Sequence, residues 1–304
     1  MTLFNIQILG CGSALPTTWH MPSSQLVNVN SKLFMIDCGE GTQLQMRKFG
    51  ARMSKLHSIF ISHLHGDHVF GLPGLISTLG LLGRTADLTI YAHKEIEILL
   101  RPVLNFFCKN LSFNLNILAI PADSSNILFE NKSISISCFP LKHRIASSGF
   151  LFREKEKQRH IKREMIDFYH IPIREINNIK SGADFVTTDG DTIPNSRLTT
   201  PSNPPRSYAY CSDTAYDESI VPYIKDVDVL YHEATFAESE VLIANKTAHS
   251  TAKQAAEIAK MAEVNKLVIG HFSSRYTDLD VLLKESQSVF PMTELADEGK
   301  VIEL

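Results

Sequence analysis

Six consecutive residues, His63-Leu64-His65-Gly66-Asp67-His68, put three imidazoles and a carboxylate into one short turn. A lone histidine is usually a hydrogen-bonded core or surface group. Three of them beside an aspartate form a nitrogen and oxygen donor set that suits zinc, with manganese and iron as rivals. The preceding run Ser58-Ile59-Phe60-Ile61-Ser62 reads as a buried strand, and Val69-Phe70-Gly71-Leu72 opens an apolar, helical stretch. Gly66 lets the backbone between them turn sharply. His63 and His65, two apart, can reach one ion, while Asp67 and His68 point elsewhere and can reach a second. Two metals roughly 3.5–4 Å apart stabilise both the attacking and the leaving oxygen of a displacement at phosphorus. One segment cannot fill two coordination shells, so further ligands must come from elsewhere.

The chain offers them in comparable places. Asp213 follows Tyr208-Ala209-Tyr210-Cys211-Ser212, and His232 follows Val227-Asp228-Val229-Leu230-Tyr231. His271 follows Lys266-Leu267-Val268-Ile269-Gly270, and His143 comes shortly after Ile134–Phe139. Each is a ligand-capable residue just past a strand-like run. In α/β architectures sites gather beyond the carboxyl ends of strands, where loops vary on a rigid frame. Several strands are therefore expected to deliver ligands to one rim.

The elements that must hold these residues are mixed. Phe4–Leu9, Gln25–Val29, Lys32–Ile36 and Leu56–Ser62 have strand character, and Thr42–Phe49 and Glu95–Phe107 read as helices. Residues 153–194 are charged and broken, and Pro194–Pro205 is a Pro/Ser/Thr-rich connection. The alternation resumes at Tyr208. A capping box of Thr251 and Gln254 opens a helix whose Ala255, Ile258, Ala259 and Ala262 form a core stripe. With 304 residues, 44% hydrophobic and 21% charged, the chain can bury a large core as one domain or two small ones. A net charge of −3 provides no global basic field, so binding of any polyanion would depend on local patches. Five cysteines without a Cys-x-x-Cys pair favour reduced thiols and a cytoplasmic protein. The start, Met1-Thr2-Leu3-Phe4-Asn5, and the lack of an 18-residue apolar run indicate neither secretion nor a membrane.

His63-x-His65-x-Asp67-His68 resembles the signature of the metallo-β-lactamase superfamily. Within it the chain resembles, nearly end to end, the short bacterial form of the ribonuclease Z family of tRNA 3′-processing endonucleases. The segments that carry this are Leu9–Pro16, Asp37-Cys38-Gly39-Glu40-Gly41-Thr42-Gln43, His232-Glu233-Ala234-Thr235, Ala248-His249-Ser250-Thr251 and His271-Phe272-Ser273-Ser274-Arg275-Tyr276. The resemblance implies an α/β, four-layer αββα sandwich as a single domain over 1–304, with a flexible arm inserted at about 153–194. It implies two zinc ions: His63, His65 and His143 on one, Asp67, His68 and His271 on the other, and Asp213 bridging. A hydroxide between the ions would attack, oriented or deprotonated by Asp67, while Glu233 and His249 would protonate the departing 3′ oxygen. His232 would buttress the site through a hydrogen bond.

The implied substrate is precursor tRNA, and neither DNA nor membrane is expected. Cleavage would free the 3′ trailer, leaving a tRNA 3′-hydroxyl and a trailer 5′-phosphate. Family members are homodimers. RNA contact is expected from the arm, where Arg153, Lys155, Lys157, Arg159, Lys162 and Arg163 face only Glu154 and Glu156, a local balance of +4. Arg275 is a further candidate at the rim. The family's Gly-Pro element of the arm is replaced here by Arg174-Glu175. Two other readings stand beside this one. A small-molecule phosphodiesterase or thioesterase on the same fold would need no basic arm. A catalytically silent RNA-binding relative would have lost ligands, and all seven are present.

Overall fold

Runs rich in β-branched and aromatic residues pair into two large sheets in the computed structural model, which describes residues 3–304. The first sheet runs, edge to edge, Val301–Glu303, Phe4–Gly10, Ser24–Val29, Lys32–Ile36, Leu56–Phe60, Leu88–Ala92 and Leu115–Ala119. The second runs Thr293–Leu295, Lys266–Gly270, Val229–Glu233, Ser207–Cys211, Ser147–Glu154, Ile134–Leu141 and Asn126–Glu130. Each sheet has an antiparallel part and a parallel part. The parallel strands Ser207–Cys211, Val229–Glu233 and Lys266–Gly270 are buried on both faces, which is why they read as continuous apolar runs rather than alternating ones.

Aromatic rings fill the space between the sheets. Phe60 of the first sheet meets Phe150 and Phe152 of the second at 5.6 and 5.7 Å between centroids, and Phe34 meets Phe152 at 6.1 Å. On the outer face of the first sheet, helices Leu72–Leu81 and Ile96–Phe107 bury Leu72, Leu75, Ile76, Leu79, Ile96, Leu100 and Leu104 in one cluster with strand residues. On the outer side of the second, helix Ala252–Met261 buries Ala255, Ile258 and Ala259. It opens on the complete Thr251–Gln254 capping box expected from sequence. Helix, sheet, sheet and helix make the four-layer metallo-β-lactamase sandwich.

The metal run sits differently from the expectation in one respect. The strand ends at Phe60, and Gly66 begins a short helix, Gly66–Val69, in ordinary helical conformation. A Cβ there would lie 2.3 Å from the ring of Phe70, an exposed side chain that would have to swing aside. A second close approach lies beside it, where a Cβ on Gly71 would fall 2.1 Å from the Gly39 carbonyl oxygen. This contact lets the Gly71 and Cys38 amides bond to the Cys38 and His68 carbonyls, both at 2.8 Å, and locks the turn after Ile36 against the histidine run.

The described residues form two compact units. One comprises the chain up to Glu130, Ser135–Phe152 and Arg206–Leu304, and the other Asn131–Ile134 and Arg153–Pro205. The smaller unit has helices Arg163–Phe168 and Ile173–Lys180 and two short antiparallel pairings, His160–Ile161 with Thr199–Thr200 and Phe185–Val186 with Thr192–Ile193. Ile171, Ile179, Phe185 and Leu198 make its own apolar core. Such a core, gathered from residues spaced over nearly thirty positions, leaves little periodic signal in a charged stretch. The expectation of a broken segment missed it for that reason.

Candidate metal centre

Residues at or just past five strand ends gather at one rim. His63, His65, Asp67 and His68 follow Leu56–Phe60, His143 follows Ile134–Leu141, Asp213 follows Ser207–Cys211, and His271 follows Lys266–Gly270. His232 and Glu233 end Val229–Glu233. The parallel register places Cys211 beside His232, and Glu233 beside Gly270, so three successive strands end level and their loops share one edge.

The seven expected ligands fall into two groups that share Asp213. One is His63, His65, His143 and Asp213; the other is Asp67, His68, Asp213 and His271. In the first, His63 Nε2 and His143 Nε2 face His65 Nδ1 at 3.0 and 3.2 Å, and lie 3.6 and 4.0 Å from Asp213 Oδ2. In the second, His68 Nε2 lies 3.4 Å from Asp67 Oδ2 and 3.5 Å from Asp213 Oδ1, and His271 Nε2 lies 3.4 and 3.1 Å from the same two oxygens. Bonds of about 2.0–2.1 Å to a tetrahedral ion set ligand atoms about 3.4 Å apart. The two donor sets therefore fit metal ions. His68 Nε2 is also buried without a hydrogen-bond partner, a costly position unless a cation fills the gap.

Hydrogen bonds from the far ring nitrogens aim these lone pairs inward. His143 Nδ1 donates to the Ala248 carbonyl at 2.8 Å, and His68 Nδ1 donates to Asp37 Oδ2 at 2.8 Å. Asp37 is wholly buried and also accepts from Ser62 N and Oγ and from the Tyr210 hydroxyl. His271 Nδ1 donates to Thr235 Oγ1 at 2.9 Å, whose own hydroxyl donates to Glu233 Oε2 at 2.6 Å. Second partners of this kind fix ring orientation and tautomer. Sequence reading assigned no role to Asp37 or Thr235. Their signal was weak but present: both lie within the motif segments, just past or at a strand end.

Charge follows the same geometry. Burial, helped by the charge of His68, lowers His63 well below the ordinary imidazole range, and burial likewise lowers His65 and His143. Those rings are neutral, as ligation requires. His68 goes the other way. Burial opposes its charge, yet Asp67, Asp37 and Asp213 raise it, so the carboxylates draw positive charge to that point. Asp67 and Asp213 are held well below the carboxylate range; burial resists, and the surrounding histidines outweigh it.

A third group adjoins these. Glu233 and His249 lie with His271, and His249 Nδ1 donates to Glu233 Oε1 at 2.7 Å. Glu233 is fully buried and accepts also from Thr214 N, Thr235 N and Thr235 Oγ1. Against the cost of burial, the Glu233 carboxylate and Asp213 raise His249 to about 9, so it is protonated at neutral pH. His232 stands apart from all three groups, with Nδ1 on the Glu233 carbonyl at 2.7 Å and Nε2 unpartnered.

The expected RNA-contacting residues are mixed in exposure. Arg153 and Arg163 are exposed. Lys157 pairs with Glu154 at 3.0 Å, Arg159 donates to Thr199 Oγ1 at 2.7 Å, and Lys162 donates to the Arg197 carbonyl at 3.1 Å. The Lys155 amide donates to the Ser133 carbonyl at 2.9 Å. Arg275 pairs with Glu240 at 2.9 Å over the Phe236 ring. Lys157, Arg159 and Lys162 are thus already hydrogen-bonded within the chain.

A family model described as anti-Pycsar protein Apyc1 matches residues 4–161. Over nearly the whole length, the chain is 57% identical to the ribonuclease Z of Parabacteroides distasonis, across 98% of each. The chain belongs to the ribonuclease Z family. The ribonuclease Z of Bacteroides thetaiotaomicron is 55% identical, over 99% of this chain and 96% of its own. The Apyc1 match ends before Asp213, Glu233, His249 and His271, whereas the ribonuclease Z relatives run past all of them. Family membership makes the chain an enzyme, an endoribonuclease-type hydrolase. Among solved structures the short form of human tRNase Z shares the fold, with TM-score 0.71 and 23% identity over 98% of both chains. So does the metallo-β-lactamase fold protein YhfI of Bacillus subtilis, with TM-score 0.69 and 19% identity over 99% of this chain and 100% of that one.

Proposed function

We propose that this site is a two-zinc phosphodiesterase centre that removes the 3′ trailer from precursor tRNA. The observation that carries the reading is Asp213, whose two oxygens face two different donor sets. His63, His65 and His143 would hold one ion, Asp67, His68 and His271 the other, and Asp213 both. Bound there, the ions supply acidified water and Lewis-acid charge for a phosphoryl centre. The chain's own residues do the rest. Asp67 accepts a hydrogen bond from the attacking water and orients it, the water's proton leaving to solvent. His249, gripped at Nδ1 by Glu233, presents its Nε2 proton to the departing 3′ oxygen. Glu233 is spent on four internal hydrogen bonds, so it acts through His249 as a positioning residue. The P–O3′ bond breaks, leaving a hydroxyl on the tRNA and a phosphate on the trailer.

The smaller unit supplies RNA contact in this reading, since a bare phosphodiesterase centre selects no tRNA. Arg153 and Arg163 are its exposed cations in the basic run. Replacing residues 156–202 by a Gly/Ser linker is expected to keep metal content and hydrolysis of a small nitrophenyl phosphodiester. Precursor tRNA cleavage should fall through weaker binding, and the salt dependence of affinity should flatten as phosphate contacts are lost. Cleavage assays and filter binding across a salt series test this. Unchanged tRNA cleavage would move the RNA surface elsewhere.

The same reading includes a homodimer in the cytoplasm. Five free thiols support a reducing compartment, and no helix among the described residues is long and apolar enough to cross a membrane. Helices Leu72–Leu81 and Ile96–Phe107, which pack together, leave Leu81, Leu82, Ile98, Phe106 and Phe107 exposed. Apolar surface gathered this way supports a second copy as its cover. Phe106→Glu with Phe107→Glu is expected to yield monomers by sedimentation, with metal content intact.

A further inference from the structure

The N-terminal strand Phe4–Gly10 hands on to a loop that carries Cys11 and His20, and a turn near the C-terminus carries Glu298. These three residues are distant in sequence yet converge. His20 Nδ1 lies 3.4 Å from Cys11 Sγ and 2.9 Å from Glu298 Oε2, and the three donor atoms all fall within 4.8 Å of one another. They share no residue with the two donor sets around Asp213.

The chemistry of the trio is specific. A thiol, an imidazole and a carboxylate together make a zinc donor set, with the thiol favouring a softer ion than the nitrogen and oxygen sets do. Glu298 Oε1 is taken by the Met21 amide at 2.8 Å, which holds the carboxylate so that Oε2 faces inward. The Cys11 side chain is fully buried, while His20 and Glu298 keep slight exposure, so a route from solvent reaches the three atoms. Burial and the carboxylates of Glu298 and Asp297 push the Cys11 thiol well above its usual range. A nucleophilic or redox-sensing thiol needs the opposite environment. The same two carboxylates that disfavour a free thiolate favour a dication beside it.

We propose that Cys11, His20 and Glu298 bind a third divalent metal ion, a zinc-class cation, separate from the catalytic pair. On binding, the Cys11 thiol proton and the His20 Nδ1 proton that bonds to Glu298 both pass to solvent. His20 presents its Nδ1 lone pair, with its ring proton on Nε2, and Glu298 Oε2 exchanges its hydrogen bond for the ion. Three protein ligands leave one position for water. The ion would tie the loop around Cys11 to the turn at Glu298. It would also sit beside His271, because the Phe272 amide donates to the Cys11 carbonyl at 2.9 Å.

The test is reconstitution of the whole protein with cobalt(II) and metal counting by mass spectrometry. The catalytic donor sets contain no sulfur, so a near-ultraviolet thiolate-to-cobalt charge-transfer band reports the third site alone. The wild type should take up about three ions per chain and show the band. Cys11→Ser should lose the band and one equivalent while keeping the other two. His20→Gln, at a partly exposed position, should weaken third-site affinity on the order of 10-fold or more and serves should Cys11→Ser fail to fold. Two ions and no band in the wild type would overturn the proposal. A band that persists in both variants would do so too, since it would belong to another cysteine. Loss of the catalytic pair in Asp213→Ala would leave the band in place, so the two assignments fail separately.

Discussion

Asp213→Ala should strip both catalytic ions from the purified enzyme and reduce phosphodiester cleavage on the order of 10³-fold or more. Its two oxygens face His63 and His143 on one side and His68 and His271 on the other, so one substitution opens both donor sets at once. Metal ions at a phosphoryl centre supply several kcal/mol of charge stabilisation, and roughly 1.4 kcal/mol is a decade in rate. Asp37→Asn is the matched control. It leaves every ligand in place and alters the buried hydrogen bonds that Asp37 makes to His68, Ser62 and Tyr210; with the bond that aims His68 weakened, metal affinity should fall about 10–100-fold. Elemental analysis of the two variants decides between these outcomes. An Asp213→Ala protein that retains two tightly held ions would end the shared-ligand reading.

Glu233→Gln should keep its metal and bind RNA, yet cleave precursor tRNA about 10²-fold or more slowly, the usual size of a lost general acid. The amide keeps the shape of Glu233 but removes the charge that holds the proton on His249. His249 carries a raised value near 9, and its active form is protonated. Activity on tRNA is therefore expected to persist below that pH and decline as pH rises through it. In Glu233→Gln the alkaline limb should move to lower pH. A nitrophenyl phosphodiester needs no proton for its leaving group, so its cleavage should be nearly spared in Glu233→Gln and in His249→Ala. An equal loss on both substrates would show that Glu233 acts on the metal site through Thr235 and His271 instead, since that second path is also continuous.

How much of this was legible in the chain depends on the range of the interactions involved. His63, His65, Asp67 and His68 lie within one turn, so their spacing alone announced a metal chemistry. His143, Asp213 and His271 could be placed because each follows an apolar strand, and strands of a parallel sheet end at a common edge. Mixed α and β structure and the helix after Thr251 were likewise readable, since capping boxes and helical stripes are local. Other features needed the folded chain. Asp37 aims His68 from thirty-one positions away, and the path from His271 through Thr235 to Glu233 exists only because two strands pair in one register. The core of the smaller unit brings Ile171 to Leu198, a contact with no periodic trace. Cys11, His20 and Glu298 meet across almost the whole chain. Sequence determined which chemical groups were available and which strand ends they would follow, because those are properties of short segments. Only the tertiary structure decided which ring nitrogen faces inward, which carboxylate is already spent and which distant residues share a point, because side-chain orientation depends on partners that sheet pairing and packing bring together.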